Sequence, residues 1–292
     1  MNYTITGYST ALFSTWYFIE ELGILFDAGD GVSSGLLGKA GKIGNVFISH
    51  ADRDHLTGLL QLNQLNARPG SPVIHYPEHC GSFPPLETFS KNFDPHVAGT
   101  VWKPIRENDL IQLKEHLYVE AVRNNHVAAA EGISKSLSYK VWQTKTKLRD
   151  DIAALPQERI LELIKEQGRE NLTVEVKTNV LAYSGDTPVD DYGRFDHSGI
   201  LIHEATFLGG EEDKNLRPHG NRHSTLEEVM KMIAEINVEK LILGHFSSRY
   251  SNGQIDAAIR ALCSSYAIKV PVYRLLPGQT ERHILAGEPI NG

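Results

Sequence analysis

The chain has 292 residues, of which 41% are hydrophobic and 22% are charged, which is typical of a globular protein with one layered α/β domain spanning residues 1–292. The net charge of −7 argues against a broad basic surface for nucleic acids, and no run approaches the length of a transmembrane helix, about 18 apolar residues. Two cysteines in unrelated contexts, Cys80 and Cys263, predict no disulfide and a cytoplasmic location.

Short apolar runs alternate with longer amphipathic stretches along the chain, a pattern typical of layered α/β proteins. Five of these runs lead into a residue that can bind a metal or transfer a proton. They are Ile24–Phe26 before Asp27, Val46–Ile48 before His50, Val180–Tyr183 before Asp186, Ile200–Ile202 before Glu204, and Leu241–Leu243 before His245. Because α/β sheets hold ligands at strand ends, these five ends predict a single functional site.

Two helices are predicted beside this site. The first begins near Asp54, ends before Pro69-Gly70, and carries Leu56, Leu59 and Leu60 on one face. The second follows His223.

The second helix begins at Ser224 or Thr225, since Glu227 and Glu228 would complete a capping box from either residue. His223 therefore lies immediately before a helix N-terminus. Backbone N–H groups and the helix dipole favour an anion at such a position. We expect a phosphate group to be bound near His223.

The sharpest motif is the six-residue run from His50 to His55, which contains four potential metal ligands where a buried strand meets a helix. They are His50, Asp52, Asp54 and His55. Neutral imidazole and carboxylate groups are the usual ligands of zinc and related divalent ions. An alternative interpretation is a polar turn in which Asp54 caps the helix, but capping requires one such residue and not four.

This motif resembles the H-x-H-x-D-H signature of the metallo-β-lactamase superfamily, and Phe26-Asp27-Ala28-Gly29 is similar to its early aspartate-bearing strand. Later residues match the remaining ligand positions in order: His126, Asp186 and His245. The resemblance covers roughly Thr4 to Tyr250 and implies a four-layer αββα sandwich, α/β in class, with two mixed sheets face to face and helices outside.

Three further segments resemble ribonuclease Z within this superfamily. They are His203-Glu204-Ala205-Thr206-Phe207, His223-Ser224-Thr225 and His245-Phe246-Ser247-Ser248-Arg249-Tyr250. The general fold does not require these segments, so the resemblance implies phosphodiester cleavage. It further implies a homodimer, because relatives of ribonuclease Z are commonly dimeric.

The resemblance also implies a division of labour around two divalent metal ions, expected to be Zn²⁺. One ion would be held by His50, Asp52 and His126, the other by Asp54, His55 and His245, with Asp186 between them. As catalytic residues it implies Asp54, which would take the proton of the attacking water, and His223, oriented by Glu204, which would protonate the departing ribose oxygen.

Asp52 departs from the family pattern, because a second histidine usually stands at this position. A carboxylate still binds divalent ions, but it is a harder ligand than imidazole and shifts preference from zinc towards Mn²⁺ or Fe²⁺. The alternative is a degraded first site in a one-metal or inactive protein. Retention of all the other ligands argues against such decay.

The segment from Thr144 to Thr178 is a second departure, because it lacks the Gly/Pro-rich arm that many ribonuclease Z chains carry here. It is expected to be charged, with a short helix whose apolar face comprises Ile160, Leu161, Leu163 and Ile164. Lys145, Lys147 and Arg149 form a small basic cluster ahead of this helix. The segment is either a reduced RNA-contact element or a solvated helix packed on the domain.

The remaining histidines carry weaker signals. Five are expected to be structural or surface residues: His75, His79, His96, His116 and His283. Two others, His197 and His219, are expected in loops near the site.

Three functions remain open from the sequence. The leading hypothesis is a metal-dependent phosphodiesterase or endoribonuclease similar to ribonuclease Z, with RNA such as tRNA 3′ trailers as its substrate. The second keeps the dinuclear site but hydrolyses a small phosphodiester or another ester, which the missing arm and the negative charge favour. The third is a non-catalytic homologue that acts as a scaffold or RNA-binding subunit, and it depends only on Asp52.

Overall fold

A computed structural model describes residues 3–93, 99–209 and 222–292. Within these ranges two seven-stranded mixed sheets lie face to face. The first contains β1 (Ile5–Thr10), β2 (Ser14–Ile19), β3 (Ile24–Phe26), β4 (Asn45–Phe47), β5 (Val73–Pro77), β6 (Val101–Ile105) and β14 (Thr280–Glu281). The second contains β7 (Leu110–Lys114), β8 (Leu117–Arg123), β9 (Leu137–Leu148), β10 (Thr173–Tyr183), β11 (Ser198–Glu204), β12 (Val238–Gly244) and β13 (Val272–Arg274).

Each sheet is half antiparallel and half parallel. The first has the order β14-β1-β2-β3-β4-β5-β6 and becomes parallel from β3 to β6. The second has the order β13-β12-β11-β10-β9-β8-β7 and is parallel from β10 to β13. In both sheets the parallel strands end on the same side, where the five predicted residues follow them.

The α-helices lie outside the two sheets or beyond the end of the second. They are α1 (Val32–Leu36), α2 (Arg53–Leu56), α3 (Leu59–Asn66), α4 (Phe83–Phe93), α5 (Asp150–Ala153), α6 (Gln157–Gln167), α7 (Leu226–Glu235) and α8 (Asn252–Ser265). Helices α1, α3 and α4 cover the first sheet, and α7 and α8 cover the second. The predicted four-layer αββα sandwich is therefore confirmed.

Strands β2 and β3 are largely apolar because both of their faces are buried. In β2, Tyr17 and Ile19 point into the core between the sheets, whereas Trp16 and Phe18 point towards the helices. The core between the sheets contains stacked aromatic rings, with Phe26 5.0 Å from Tyr183 between ring centroids. This packing fixes the positions of the strand ends and so of the residues that follow them.

The helix predicted after Asp54 is two short helices rather than one. Helix α2 ends at Leu56, and α3 begins three residues later. Gly58 lies between them, and a Cβ there would meet the backbone oxygen of Gly29 at 2.2 Å, so only glycine allows this close approach. Leu60 was expected on the apolar face but is 40% exposed, because the shift in helix phase turns Leu62 inward instead.

Helix α7 begins as predicted. Thr225 is its N-cap, and the side chain accepts a hydrogen bond from the backbone N–H of Glu228. The Glu228 carboxylate in turn accepts from the backbone N–H of Thr225, which completes a capping box. His223 therefore lies two residues before the N-cap, at the end that faces the strand termini.

The segment from Thr144 to Thr178 is largely a strand hairpin. Strands β9 and β10 pair from Tyr139 and Tyr183 to Leu148 and Thr173, with one register shift between Asn179 and Leu181, and helices α5 and α6 close the far end. A small apolar cluster of its own holds this tip together, with Leu163 at its centre. The tip lies roughly 33 Å along β10 from Tyr183, at about 3.3 Å per residue.

The expectation of a solvated helix packed on the domain is therefore wrong in one respect. Helix α6 is present at the predicted position, but it packs on the end of its own hairpin and not on the main core. Leu161, expected on its apolar face, is 51% exposed. Within the part of the chain that the structure describes, no helix combines the length and apolar character needed to cross a membrane.

Candidate metal centre

Both sheets contribute to one cluster of histidines and carboxylates at their shared edge. The loop after β4 carries the motif from His50 to His55. On the second sheet, His126 follows β8, Asp186 follows β10 and His245 follows β12. The candidate ligands among these residues are buried except Asp52, whose side chain is half exposed. The structure thus brings together every residue predicted to bind a metal.

Among the described residues, five overlapping sets of three candidate ligands have their ligand atoms within 4.8 Å of one another, and three of these sets include Asp186, Glu204 or His223. The two sets without any of these residues are called the metal groups. The first group is His50, Asp52 and His126, and the second is Asp54, His55 and His245. Asp186 lies between them, with Oδ2 3.8 Å from the Nε2 of His50, 3.4 Å from that of His55 and 3.3 Å from that of His245. These groups match the division between two ions that the resemblance implied.

Four buried imidazole nitrogens face this space without a hydrogen bond to any described residue. They are the Nε2 atoms of His50, His55, His126 and His245. Carboxylate oxygens lie 3.3 to 3.8 Å from them, which is too far for a hydrogen bond. Two ligands that share an ion at about 2.1 Å in tetrahedral geometry lie roughly 3.4 Å apart. The unpaired nitrogens and their spacing therefore fit a divalent metal.

The opposite nitrogen of each ring is held by a hydrogen bond. Nδ1 of His55 lies 2.7 Å from Oδ2 of Asp27, and Nδ1 of His126 lies 2.8 Å from the backbone oxygen of Arg222. Nδ1 of His50 and of His245 lie 2.9 and 2.8 Å from hydroxyl oxygens, which belong to Ser49 and Thr206. Such contacts fix the ring orientation and direct Nε2 towards the metal position.

The electrostatics of the cluster favour ionised carboxylates. Burial raises the pKa of Asp186, but the imidazoles of His245 and His55 outweigh this effect and hold it well below its usual value. Burial likewise raises the pKa of Asp54, whereas His55 and His245 lower it to about 2. Burial lowers the pKa of His55, but Asp186, Asp27 and Asp54 raise it well above its usual value. The carboxylates are therefore ionised at the position where a cation would bind.

His223 and Glu204 form a hydrogen-bonded pair beside the metal groups. The Nδ1 of His223 lies 3.1 Å from Oε1 of Glu204 and 3.7 Å from Oδ2 of Asp186. Burial lowers the pKa of His223, but the carboxylate of Glu204 outweighs it and raises the pKa to about 9. The histidine is therefore protonated at neutral pH, which suits a proton donor.

Glu204 is fixed by its surroundings. Its Oε1 accepts a hydrogen bond from the backbone N–H of Thr187, and its Oε2 accepts from both the backbone N–H and the hydroxyl of Thr206. The carboxylate is buried and cannot turn away from His223. Glu204 can therefore hold the His223 ring at Nδ1 and leave Nε2 for proton transfer.

Asp27 is a residue of this site that was recognised from the sequence only as part of the early strand. Its carboxylate accepts hydrogen bonds from the backbone N–H and hydroxyl of Ser49, contacts His55, and accepts from the hydroxyl of Tyr183. Asp27 therefore holds a ligand in place without entering the metal groups. Its sequence signals are its position directly after β3 and the similarity of Phe26-Asp27-Ala28-Gly29 to the early aspartate-bearing strand of the superfamily.

The backbone is strained at two of these strand ends. Asp27 has φ of 53° and His245 has φ of 61°, a region that non-glycine residues seldom adopt. Gly244 precedes His245, and a Cβ at this position would meet the hydroxyl of Tyr17 at 2.0 Å. The close contact between the sheets thus requires glycine just before this ligand.

Two of the remaining histidines were expected near the site. His197 was wrongly placed there, because it precedes β11 and so lies at the opposite end of that strand from Glu204. His219 lies outside the described residues, as does His96. His75, expected to be structural, is buried and stacks on Phe47.

Replacing Asp52 with histidine is expected to restore the usual imidazole and to change metal preference. The adjacent imidazoles of His126 and His50, whose Nε2 atoms lie 3.7 and 3.5 Å from Oδ2 of Asp52, hold the pKa of Asp52 well below its usual value against the opposing effect of burial, so it contributes a full negative charge. The D52H variant should bind zinc at least about tenfold more tightly relative to Mn²⁺. Competition titrations with a chelator would measure this ratio, and an unchanged ratio would show that Asp52 is not a ligand.

Comparison with known proteins agrees with this architecture. No protein-family model matches the chain. Ribonuclease Z of Ignicoccus hospitalis is 29% identical over 282 residues, which cover 88% of this chain and 90% of that protein. The structure of human tRNase Z, short form, has a TM-score of 0.57 and 23% identity, and the match covers 85% of this chain and 93% of that one.

The metallo-β-lactamase fold protein YhfI from Bacillus subtilis is similar over a larger share of the chain. It has a TM-score of 0.62 and 14% identity, and the match covers 96% of this chain and 99% of that one. These structural similarities show the same fold, and the ribonuclease Z relative matches the sequence over most of its length. The chain therefore has the metallo-β-lactamase fold, and its sequence is similar to that of ribonuclease Z.

Proposed function

We propose that this protein is a metal-dependent phosphodiesterase that cleaves RNA, with the 3′ trailers of precursor tRNA as its substrate. The observation that carries the proposal is the His223–Glu204 pair, which lies beside the metal groups and near the N-terminus of α7. A proton donor at this position serves a leaving alkoxide, which phosphodiester cleavage produces. Relatives named ribonuclease Z support the RNA substrate.

We assign two divalent ions to the site, Zn²⁺ or, given Asp52, Mn²⁺ or Fe²⁺. When bound, such ions polarise a phosphoryl oxygen and lower the pKa of a water molecule. The residues would divide as the geometry groups them, His50, Asp52 and His126 around one position and Asp54, His55 and His245 around the other, with Asp186 shared.

The residues around these positions would perform the proton transfers. Asp54 has one carboxylate oxygen anchored by the backbone N–H of Leu12 at 3.0 Å, and it would accept the proton of the attacking water. His223 would donate its proton to the departing ribose oxygen. Glu204 would hold the ring of His223 and stabilise its positive charge.

The hairpin of β9 and β10 is the element that we assign to RNA contact. Lys145 and Lys147 are two residues apart on β9, so they point to the same face, and both are exposed. Two lysines on an extended hairpin supply phosphate contacts that the net charge of −7 does not supply overall. We further propose a homodimer, which the exposed Leu37, Leu60 and Leu65 near α1 and α3 support. We also propose a cytoplasmic location.

The test measures metal content per chain and then hydrolysis of bis(p-nitrophenyl) phosphate and of a precursor tRNA. We expect about two metals and cleavage of both substrates. The double variant K145A/K147A should raise KM for tRNA and reduce the slope of its salt dependence by about 1.5, at roughly 0.7 to 0.9 per lost contact. The small diester should be cleaved as by the wild type.

Other outcomes would favour the alternatives. Two metals with cleavage of the small diester alone would indicate an enzyme for small phosphodiesters. One metal or none, with no cleavage after addition of zinc or manganese, would favour a non-catalytic subunit in which Asp52 marks a lost site.

The control for K145A/K147A is K114A, which removes the charge of an exposed lysine on β7, outside this hairpin.

A further inference from the structure

The hydroxyl of Thr206 contacts three site residues at once. Its Oγ1 lies 2.8 Å from Nδ1 of His245, 2.5 Å from Oε2 of Glu204 and 3.2 Å from Nδ1 of His223. Thr206 is itself buried, in the loop that leaves β11. It therefore lies between a residue of the second metal group and the proposed proton donor.

The direction of these hydrogen bonds follows from the number of hydrogens available. If Nε2 of His245 binds a metal through its lone pair, Nδ1 carries the ring hydrogen and donates it to Oγ1 of Thr206. A hydroxyl has a single hydrogen, so Thr206 gives it to Oε2 of Glu204. Oε1 of Glu204 remains free to accept from Nδ1 of His223.

We propose that Thr206 is a positioning residue that couples the ring of His245 to the Glu204–His223 pair. Its hydroxyl sets the tautomer of the metal-binding histidine and orients the carboxylate that holds the proton donor. The catalytic part of this proposal rests on the proposed phosphodiesterase function. The metal-binding part does not, because it concerns the ring of His245 alone.

Thr206→Val tests the proposal, because valine has nearly the shape of threonine but no hydroxyl. It leaves the Nδ1–H of His245 and one oxygen of Glu204 buried without this partner. We expect zinc affinity of the group containing His245 to fall about 10- to 100-fold. For precursor tRNA, whose leaving alkoxide needs a proton, kcat should fall by about tenfold or more with little change in KM, measured at saturating zinc.

Two further variants separate positioning from packing. Thr206→Ser keeps the hydroxyl and should restore both zinc affinity and kcat to within about threefold of wild type. Thr144→Val removes a buried hydroxyl that lies 3.1 Å from Nδ1 of His116, remote from the site, and should leave both quantities unchanged. This control matches the chemistry of the Thr206 variant at a histidine outside the metal groups.

Wild-type zinc affinity in Thr206→Val would overturn the proposal, as would an equal loss in Thr206→Ser or Thr144→Val. If no substrate is cleaved by the wild type, the zinc titrations still decide the role of Thr206. If Thr206→Val does not fold, ¹⁵N spectra of the histidine rings in the zinc-loaded wild type and Thr206→Ser replace it. A hydrogen on Nδ1 of His245 supports the proposal, and one on Nε2 contradicts it.

Discussion

Replacing Asp186 with alanine is expected to abolish metal binding and hydrolysis together. Its Oδ2 is the one carboxylate oxygen within 4 Å of ring nitrogens from both metal groups among the described residues. Without this charge, two adjacent cations would face each other with no shared anion between them. Activity on bis(p-nitrophenyl) phosphate should fall by about three orders of magnitude or more, because metal ions supply several kcal/mol to such reactions.

Metal content would be measured by elemental analysis on protein purified without added metal. Asp256→Ala is the matched control, since Asp256 is a partly buried carboxylate that pairs with Arg274 outside the site. It should keep its full metal content. Full metal content in Asp186→Ala would show that Asp186 is not a ligand, whatever the effect on turnover.

Replacing His223 with alanine is expected to separate catalysis from metal binding. The ring contacts Glu204 through Nδ1, and the two metal groups are complete without it. The variant should keep its metals while kcat for RNA falls by on the order of 10²-fold or more, because the leaving oxygen loses its proton donor. Bis(p-nitrophenyl) phosphate should be affected less, since its leaving group needs little protonation.

His116→Ala is the control for this variant, because His116 is a partly exposed histidine on the β7–β8 turn. Single-turnover kinetics would isolate the cleavage step from product release. Wild-type metal content with unchanged turnover in His223→Ala would remove His223 from the mechanism. Loss of metal in this variant would instead place His223 among the ligands.

Five site residues could be placed from the sequence because each follows or ends an apolar strand, namely Asp27, His50, Asp186, Glu204 and His245, whereas the resemblance indicated His126. Such strands are visible in the sequence, and the topology of the two sheets brings their ends to one edge. The four potential ligands between His50 and His55 predicted that the site binds a divalent metal. The fold itself followed from the resemblance, because apolar runs alone do not specify which strands pair.

The residues that support the ligands could not be predicted in the same way. Thr206 and Ser49 are ordinary hydroxyl residues in the sequence, and their role depends on which ring nitrogen faces them. His197 was misplaced because a loop residue can lie at either end of a strand. The hairpin of β9 and β10 was missed because its exposed, charged strands lack the apolar pattern of buried ones.

The division of the metal groups between two sheets has a consequence for folding. The residues from His50 to His55 belong to the first sheet, whereas His126, Asp186 and His245 belong to the second. Because these residues are far apart in sequence, the complete set can assemble only after the long-range contacts have formed. Ions that bind the complete set would therefore stabilise the folded chain by mass action. They would bind late in folding and link the first sheet to the second.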